Sequence, residues 1–201
     1  MIETPNLIDY NSSMERGLLI ILSGPSGVGK GTVRKELMKD ASLNLVYSIS
    51  MTTRLPRNGE KEGIDYFFVT FDEFKKAIKE GKLLEYAKFV DNYYGTPKDY
   101  VDKIRDEGKN VLLEIETHGA KEILKKKSSN DEIFIFLNTP SFEELERRIR
   151  ERKTESEEVI QERLKKAQIE ISLKSMYDYV VINDTPANAA KRIKEIILSH
   201  K

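Results

Sequence analysis

The chain has 201 residues, with 34 Lys and Arg balanced by 34 Asp and Glu, so its net charge is zero. This length is enough for one well-buried α/β core that can include an inserted subdomain. A zero net charge provides no general attraction to nucleic acid or to anionic membranes, so we expect no nucleic-acid partner and only local basic sites. The sequence contains no cysteine, which excludes disulfides, thiolate catalysis and cysteine-based zinc sites.

Signals for membrane insertion or export are missing from the sequence. No apolar run approaches the roughly 20 residues of a membrane helix, and no N-terminal segment joins a basic region to an apolar run of adequate length. Residues 1–16 mix Pro5, Asn6, Asn11, Ser12 and Ser13 with few apolar side chains, which predicts an N-terminal extension outside the core. The lack of cysteine fits a reducing compartment, so we expect a soluble, cytoplasmic protein with no membrane partner.

An apolar run followed by a glycine-rich turn organises the chain. Residues 18–22 read LLIIL, which is typical of a strand buried on both faces of a parallel sheet. The next segment, SGPSGVGKGT, fits the P-loop spacing, in which backbone N–H groups surround phosphates and Lys30 reaches the outer ones. Val33 and Leu37 then predict a helix whose N-terminus adds positive charge to the same site. The alternative is a strand-to-helix turn without a ligand.

One position of this loop departs from the usual pattern. Gly31 stands where a Ser or Thr hydroxyl normally contacts Mg²⁺, and Thr32 comes one residue later. Mg²⁺ tolerates such a loss because it keeps several waters and is held largely by the phosphates of the nucleotide. We therefore predict Mg²⁺ as the cofactor but no side-chain metal ligand.

A second basic segment follows a short alternating strand at residues 45–50. Arg54 and Arg57 flank a proline beside three hydroxyl residues, and a guanidinium group matches phosphate oxygens two at a time. This pattern makes the segment a candidate second anion site, the alternative being a solvated basic loop. Residues 66–71 are aromatic and β-branched, which predicts a strand with Phe67, Phe68 and Phe71 in the core.

Turn and capping residues divide the segment that follows. Thr70 and Glu73 form a capping box for a helix that ends near Gly81. Residues 83–90 are predicted to form a strand that carries Glu85, and residues 92–95 a turn. Thr96 is predicted to cap a helix that begins at Pro97 and ends at Gly108. The strand-rich region of residues 50–96 is interpreted as an insertion that carries a second substrate.

The second half of the chain returns to alternating strands and helices. Residues 111–116 form a predicted strand that ends in Glu114 and Glu116, and the carboxyl ends of parallel strands face the ligand cleft. The alternative is a solvated strand end. Further strands are predicted at 133–137 and 179–183, and Thr185 with Pro186 begins the terminal helix.

Two helices between these strands are predicted to begin at caps on Ser141 and Thr154. They carry five arginines: Arg147, Arg148, Arg150, Arg152 and Arg163. Interleaved glutamates leave open the alternative of a salt-bridged solvent face.

Five segments occur in the order and at the separations of one known family: SGPSGVGKGT, SISMTTRLPRNGEKEGIDYFF, NYYGTP, LEIETHGA and RRIRERKTES. Over residues 17–198 the sequence resembles the guanylate kinases. The resemblance implies a P-loop NTPase core whose parallel β-sheet is flanked by helices. It further implies a strand-rich GMP-binding insertion at about 50–96 and a helical lid at about 141–163, within one domain at 17–201. The implied reaction transfers the γ-phosphate of ATP to GMP and dGMP, for purine nucleotide metabolism, with Mg²⁺ as cofactor.

The resemblance also assigns roles to individual residues. Catalytic roles fall on Lys30, Arg54, Arg148, Arg152 and Arg163. The ATP site comprises Gly24, Pro25, Ser26, Gly27, Val28, Gly29, Lys30, Gly31 and Thr32, with Asn183 and Asp184 near the adenine. The GMP phosphate is assigned to Arg54, Arg57, Tyr66 and Tyr94, and the guanine region to Ser50, Glu85, Gly95, Thr96 and Glu116.

Three departures from the family pattern affect four positions, and two other functions remain open. Glu114 and Glu116 occupy positions that vary between Asp and Glu, His118 stands where Gln is usual, and Lys153 replaces a glycine that would favour lid flexibility. A non-catalytic guanylate-kinase-like module that binds phosphoproteins would have an eroded P-loop, whereas here the glycines and Lys30 are intact. The other alternative is a P-loop kinase for a different nucleoside monophosphate.

Overall fold

The computed structural model describes residues 15–127, 129–151 and 156–200. The strands within these ranges are β1 Leu19–Ser23, β2 Leu45–Tyr47, β3 Met51–Thr52, β4 Phe67–Phe68, β5 Leu83–Phe89, β6 Asn92–Pro97, β7 Asn110–Glu114, β8 Glu132–Asn138 and β9 Tyr179–Ile182. The helices are α1 Lys30–Leu37, α2 Phe71–Lys79, α3 Lys98–Asp106, α4 Thr117–Leu124, α5 Phe142–Arg150, α6 Glu157–Ser172 and α7 Pro186–Leu198.

The core is a five-stranded parallel sheet in the order β2-β7-β1-β8-β9. Strands β1 and β8 are buried on both faces, which explains their continuous apolar sequences. Alternate residues of β1 point to opposite faces: Ile20 packs with the cluster formed by α1, α5, α6 and α7, and Ile21 packs with α3 and α4. The predicted α/β fold, with a parallel sheet flanked by helices, is confirmed.

A second, four-stranded sheet lies between β2 and β7 in the sequence. Its order is β4-β3-β6-β5, with β3 parallel to β4 and antiparallel to β6. Helix α2 covers it through Phe74 and Ala77, which pack with Leu83. Strand β5 lies against α4, so the second sheet is joined to the parallel core at the carboxyl ends of its strands.

The segment around the β5–β6 hairpin differs from the prediction. Residues 92–95 are not a turn but the start of β6, because Tyr93 stacks on Phe74 with ring centroids 5.4 Å apart and the strand pairs along β5. The turn lies at Val90 and Asp91 instead, and Val90 adopts φ 55°. Thr96 is consequently a strand residue, and Pro97 takes the N-cap position of α3.

Other predictions were correct in type but not in extent. The strand predicted at 45–50 shortens to β2 and the one at 66–71 shortens to β4, while β3 of the second sheet was not predicted. Phe71 is 44% exposed at the first position of α2, so its core assignment was wrong, whereas Phe67 and Phe68 are half-buried. The N-cap of α6 is Ser156, two residues after the predicted Thr154, which lies outside the described residues.

The remaining helix boundaries follow the predicted caps. The side chains of Thr70, Ser141 and Thr185 each accept a hydrogen bond from a backbone N–H in the first turn of their helix. Thr70 and Glu73 complete a reciprocal capping box. Gly81 and Gly108 follow the ends of α2 and α3 with positive φ, as expected for helix stops.

Candidate active site

The glycine-rich loop between β1 and α1 is tightly constrained by its neighbours. A Cβ on Gly24 would lie 2.2 Å from the Leu137 carbonyl oxygen, and Gly24 has φ 147°. Gly29 has φ 96°, and a Cβ there would lie 2.7 Å from Nδ2 of Asn183. Gly29 is the N-cap of α1 and makes no side-chain cap bond, so the positive end of the helix opens onto the loop. The strand, glycine-rich turn and helix are thus arranged as the sequence predicted, and anion binding at this loop stays a prediction.

Lys30, the first residue of α1, folds back over the loop. Its Nζ donates to the carbonyl oxygens of Gly24 at 2.6 Å and Pro25 at 3.2 Å. Burial lowers the pKa of Lys30, and the carboxylates of Glu170 and Glu114 oppose that effect. The ammonium group is therefore held beside the loop by main-chain acceptors and surrounding negative charge.

Two of the predicted arginines reach the same loop. Arg148 on α5 donates to the carbonyl oxygens of Val28 at 3.3 Å and Asn183 at 3.0 Å, and its Nε donates to Glu144 at 2.7 Å. Arg163 on α6 donates to Oγ of Ser26 at 2.9 Å. Arg152 and Lys153 lie outside the described residues.

The other arginines of α5 form ion pairs with glutamates, as in the alternative of a salt-bridged solvent face. Arg147 pairs with Glu144 and Glu151, and Arg150 pairs with Glu146 and Glu157. Hydrogen bonds from Arg147 and Arg148 lower the pKa of Glu144 to about 2. The arginine-rich stripe thus has a part directed to the loop and a part engaged in exposed ion pairs.

A cavity of about 340 Å³ opens beside the P-loop. Its lining includes Gly27, Gly29, Thr32, Arg148 and Asn183. Asn183 is buried and its Nδ2 donates to the Val28 carbonyl oxygen at 2.7 Å. Asp184, the other predicted adenine-side residue, instead pairs with Arg192 and accepts from the Thr185 N–H, and these contacts lower its pKa.

A second cavity, of about 310 Å³, lies between the β5–β6 hairpin and the start of α4. Four of the five predicted guanine-side residues line it, namely Ser50, Glu85, Gly95 and Glu116, together with Tyr94, Glu114 and His118. Glu85 is 9% exposed and accepts from the Thr96 hydroxyl at 2.6 Å. Burial raises the pKa of the Glu85 carboxyl, and the Thr96 hydrogen bond opposes that rise.

The basic segment after β3 surrounds a carboxylate that the sequence analysis missed. Glu60 accepts from the Arg54 guanidinium at 2.9 Å and from the Arg57 backbone N–H at 2.8 Å. This contact raises the pKa of Arg54, whose guanidinium also lies 5.3 Å from the ring centroid of Tyr66. The rings of Tyr66 and Tyr94 are 6.1 Å apart, so three of the four predicted phosphate ligands are gathered, while the Arg57 side chain is exposed.

Glu114, the last residue of β7, and Glu116 lie at the cleft, and each has a cationic partner that was not predicted. Glu114 pairs with Arg34 at 3.1 Å, and the Arg34 guanidinium lies 4.1 Å from the ring centroid of Tyr47. Glu116 is exposed and pairs with Lys166 of α6 at 3.0 Å. These partners come from α1 and α6, which are far away in the sequence.

A further missed residue, Glu170, is buried below the P-loop and contacts it directly. A sequence signal for it exists, since Ile160, Leu164 and Ala167 form the buried stripe of α6 and Glu170 continues that stripe. A carboxylate at a position where the helical period calls for an apolar residue indicates a specific buried partner.

Comparison with known proteins decides the family. The profile described as guanylate kinase matches residues 16–200. The chain belongs to the guanylate kinase family. Its reaction is therefore the transfer of a phosphoryl group from ATP to GMP, and it is a nucleotide-binding transferase.

Individual relatives agree with this assignment. A guanylate kinase of Listeria monocytogenes serotype 4b (strain F2365) is 54% identical over 183 residues, which cover 91% of this chain and 88% of the relative. One from Bacillus anthracis is 56% identical over the same coverage. The crystal structure of guanylate kinase from Anaplasma phagocytophilum superposes with a TM-score of 0.70 at 35% identity, covering 92% of this chain and 86% of that one.

Two kinds of feature are absent from the described residues. No helix in residues 15–127, 129–151 and 156–200 is long and apolar enough to cross a membrane. In the same part of the chain, no group of three or more His, Cys, Asp or Glu side chains could hold a metal ion.

Proposed function

We propose that the two cavities divide the substrates, with the ATP phosphates at the P-loop and GMP in the cavity at Glu85. The observation that carries the proposal is the convergence of Lys30, Arg148 and Arg163, from three different helices, on the loop at residues 24–28. Backbone N–H groups of residues 26–32 and the Lys30 ammonium would hold the ATP phosphates, and Asn183 would lie at the adenine side. Asp184 takes a more distant, supporting place, because it is paired with Arg192.

On the acceptor side, Arg54, Arg57, Tyr66 and Tyr94 bind the GMP phosphate. Ser50, Glu85, Gly95, Thr96 and Glu116 surround the guanine. Guanine presents N1–H and a 2-amino group as donors, which match a buried carboxylate acceptor, whereas adenine presents a bare nitrogen at that edge. Because these contacts involve base and phosphate and leave the sugar aside, dGMP serves as an acceptor as well.

The reaction needs little covalent chemistry from the protein. Phosphoryl transfer requires in-line positioning and neutralisation of the charge on the transferring group, for which Lys30, Arg148, Arg152 and Arg163 supply four cations. The arginines belong to residues 141–163, which we assign as the lid over the acceptor region at 50–96. Closure of this lid excludes water that would otherwise hydrolyse ATP.

Mg²⁺ fits this site as a partner of the nucleotide. Position 31 carries no hydroxyl, and a Cβ on Gly31 would lie 3.6 Å from Oε1 of Glu114, so that carboxylate borders the phosphate loop. One carboxylate in this place suits an ion that keeps most of its waters and binds ATP oxygens. When bound, the ion would supply charge neutralisation on the phosphates, and Glu114, which pairs with Arg34, would accept hydrogen bonds from its waters.

The test is an ADP-release assay with ATP and a panel of GMP, dGMP, AMP, UMP and CMP. GMP and dGMP should be used, and the other acceptors should have kcat/KM values lower by roughly 10⁴ or more. Equal use of AMP would favour a kinase for another nucleoside monophosphate, and GMP binding without turnover would favour the non-catalytic module.

Lys30→Ala tests the ATP site itself. It should lower kcat on the order of a hundredfold or more, because it deletes a preorganised charge on the outer phosphates without altering the core. Lys35→Ala is the matched control, since Lys35 is an exposed lysine on the same helix. Near-normal turnover of folded Lys30→Ala protein would refute the P-loop assignment.

A further inference from the structure

Glu170 is a buried carboxylate that the proposed reaction does not use. It is 5% exposed and lies on α6, about one turn after Ala167. Burial of a charged carboxylate is strongly unfavourable unless hydrogen bonds and cations compensate for lost water. The partners of Glu170 therefore indicate what it does.

Its two oxygens contact two different parts of the site. Oε2 accepts from the backbone N–H of Ser26 in the P-loop at 3.4 Å, and Oε1 accepts from the hydroxyl of Thr117 at the start of α4 at 3.3 Å. Nζ of Lys166, one turn earlier on α6, lies 4.0 Å from Oε1 and pairs with Glu116 at 3.0 Å. Glu170 thus connects the phosphate loop with the helix that follows the guanine-side carboxylates.

Two side chains of α6 contact the same P-loop residue, Ser26. Arg163 donates to the Ser26 hydroxyl at 2.9 Å, and Glu170, two turns later on the same face, accepts from the Ser26 N–H. Since both groups of one residue are held by one helix, the orientation of the peptide entering Ser26 is determined by α6. That peptide begins the turn whose N–H groups surround the phosphates.

We propose that Glu170 is a positioning residue for the ATP phosphates, which fixes the Ser26 peptide of the P-loop to α6 and α4. The inference rests on the proposed function in that the loop is taken as the ATP site. The buried negative charge has a second effect, because Glu170 is the strongest of the charges that counteract the lowering of the Lys30 pKa by burial. It thereby favours the cationic form of the phosphate-binding lysine.

Glu170→Gln tests the role with little change in side-chain size. The amide still offers one oxygen acceptor but no charge, so one charge-assisted hydrogen bond is lost. We expect the KM for ATP to rise about tenfold with a lower kcat, and the KM for GMP to change less than about twofold. Glu162→Gln, an exposed carboxylate on the same helix, is the matched control and should behave as wild type.

Thr117→Val provides an independent test, because it removes the hydroxyl that orients Glu170 and retains the side-chain shape. It should raise the KM for ATP in the wild-type background and have little further effect in Glu170→Gln, since coupled residues are non-additive. If Glu170→Gln does not fold, an unchanged ATP KM in Thr117→Val overturns the proposal.

Two outcomes with folded Glu170→Gln would also overturn it. One is a wild-type KM for ATP with a wild-type kcat; the other is an equal loss of ATP and GMP affinity together with a lower melting temperature, which indicates a structural role alone. Lys30→Ala separates the two hypotheses. An inactive Lys30→Ala beside a normal Glu170→Gln refutes only the role of Glu170, whereas an active Lys30→Ala refutes the ATP site.

Discussion

Replacing Glu85 by Gln should separate substrate selectivity from stability. Glu85 is 9% exposed and bonded to Thr96 at 2.6 Å, so its charge faces the cavity with little solvent to screen it. If the carboxylate accepts from guanine, the substitution removes a charge-assisted hydrogen bond, which is worth about 1.5–3 kcal/mol. That energy corresponds to a roughly 10- to 150-fold lower kcat/KM for GMP. The amide also offers a donor to adenine, so the gap between GMP and AMP should narrow while the KM for ATP stays unchanged.

The same substitution should change stability in the opposite direction. Burial raises the pKa of Glu85 above its usual value of 4.5, so the folded protein binds this proton more tightly than the unfolded chain. Proton binding by Glu85 therefore stabilises the folded protein. This stabilisation is present in full below the usual pKa of Glu85 and is lost as the pH rises through its pKa in the folded protein. Gln carries no proton to lose. Glu85→Gln should therefore melt at a higher temperature than wild type at neutral pH, and the difference should shrink as the pH falls toward 4.5.

Steady-state kinetics with GMP and AMP, together with thermal melts at several pH values, measure both effects. Glu80→Gln is the control, because Glu80 is an exposed carboxylate near the same strand that pairs with Lys82. Full retention of GMP selectivity in folded Glu85→Gln would refute guanine recognition by this carboxylate. A melting difference that does not depend on pH would refute the electrostatic explanation of its stability.

Three further substitutions test other parts of the site and fold. Arg148→Ala should lower kcat on the order of a hundredfold with a nearly unchanged KM for GMP. Arg150→Ala, which loses exposed ion pairs, should behave as wild type. Equal kinetics of the two variants would show that Arg148, like Arg150, only forms ion pairs at the surface. Gly29→Ala should raise the KM for ATP much more than Gly59→Ala. Both glycines have positive φ, but only a methyl group on residue 29 would have a neighbour within 4 Å. Equal KM values of the two variants would contradict this explanation. Val90→Gly should raise the melting temperature by about 2 °C, since a β-branched residue at φ 55° is strained, and a lower melting temperature would show that this strain is small.

Local signals made much of the architecture predictable. The apolar runs of β1 and β8, the glycine spacing before Lys30 and the caps at Thr70, Ser141 and Thr185 each depend on residues within a few positions of one another. Such features carry their physical cause in the sequence itself. The P-loop geometry is of this kind, because its glycines are required by the local backbone.

Features that depend on distant partners were not predictable in the same way. The pairing of Tyr93 and Tyr94 into β6 needs the neighbouring strand β5, and a two-tyrosine segment next to glycine reads equally well as a turn. The pairs of Glu116 with Lys166 and of Glu114 with Arg34 join residues whose proximity follows only from helix packing. Glu170 gave a sequence signal as a carboxylate on an apolar stripe, but its partners could not be named without the fold.

The placement of the second sheet between neighbouring core strands has a consequence for engineering. Strand β2 leaves the parallel sheet at Tyr47 and β7 returns beside it, with Leu45 opposite Asn110 and Tyr47 opposite Leu112. The segment between them is thus anchored at two adjacent points, so the entropy of closing it depends only weakly on its length. Helix α3 ends this segment and packs against Ile21 of β1, so a foreign segment would replace residues 48–97 only, with α3, β1, β8 and the glycine-rich loop retained. The parallel sheet with the glycine-rich loop, which we assign to ATP, would serve as a constant scaffold. Exchange of the second sheet would then be a route to kinases for new acceptors.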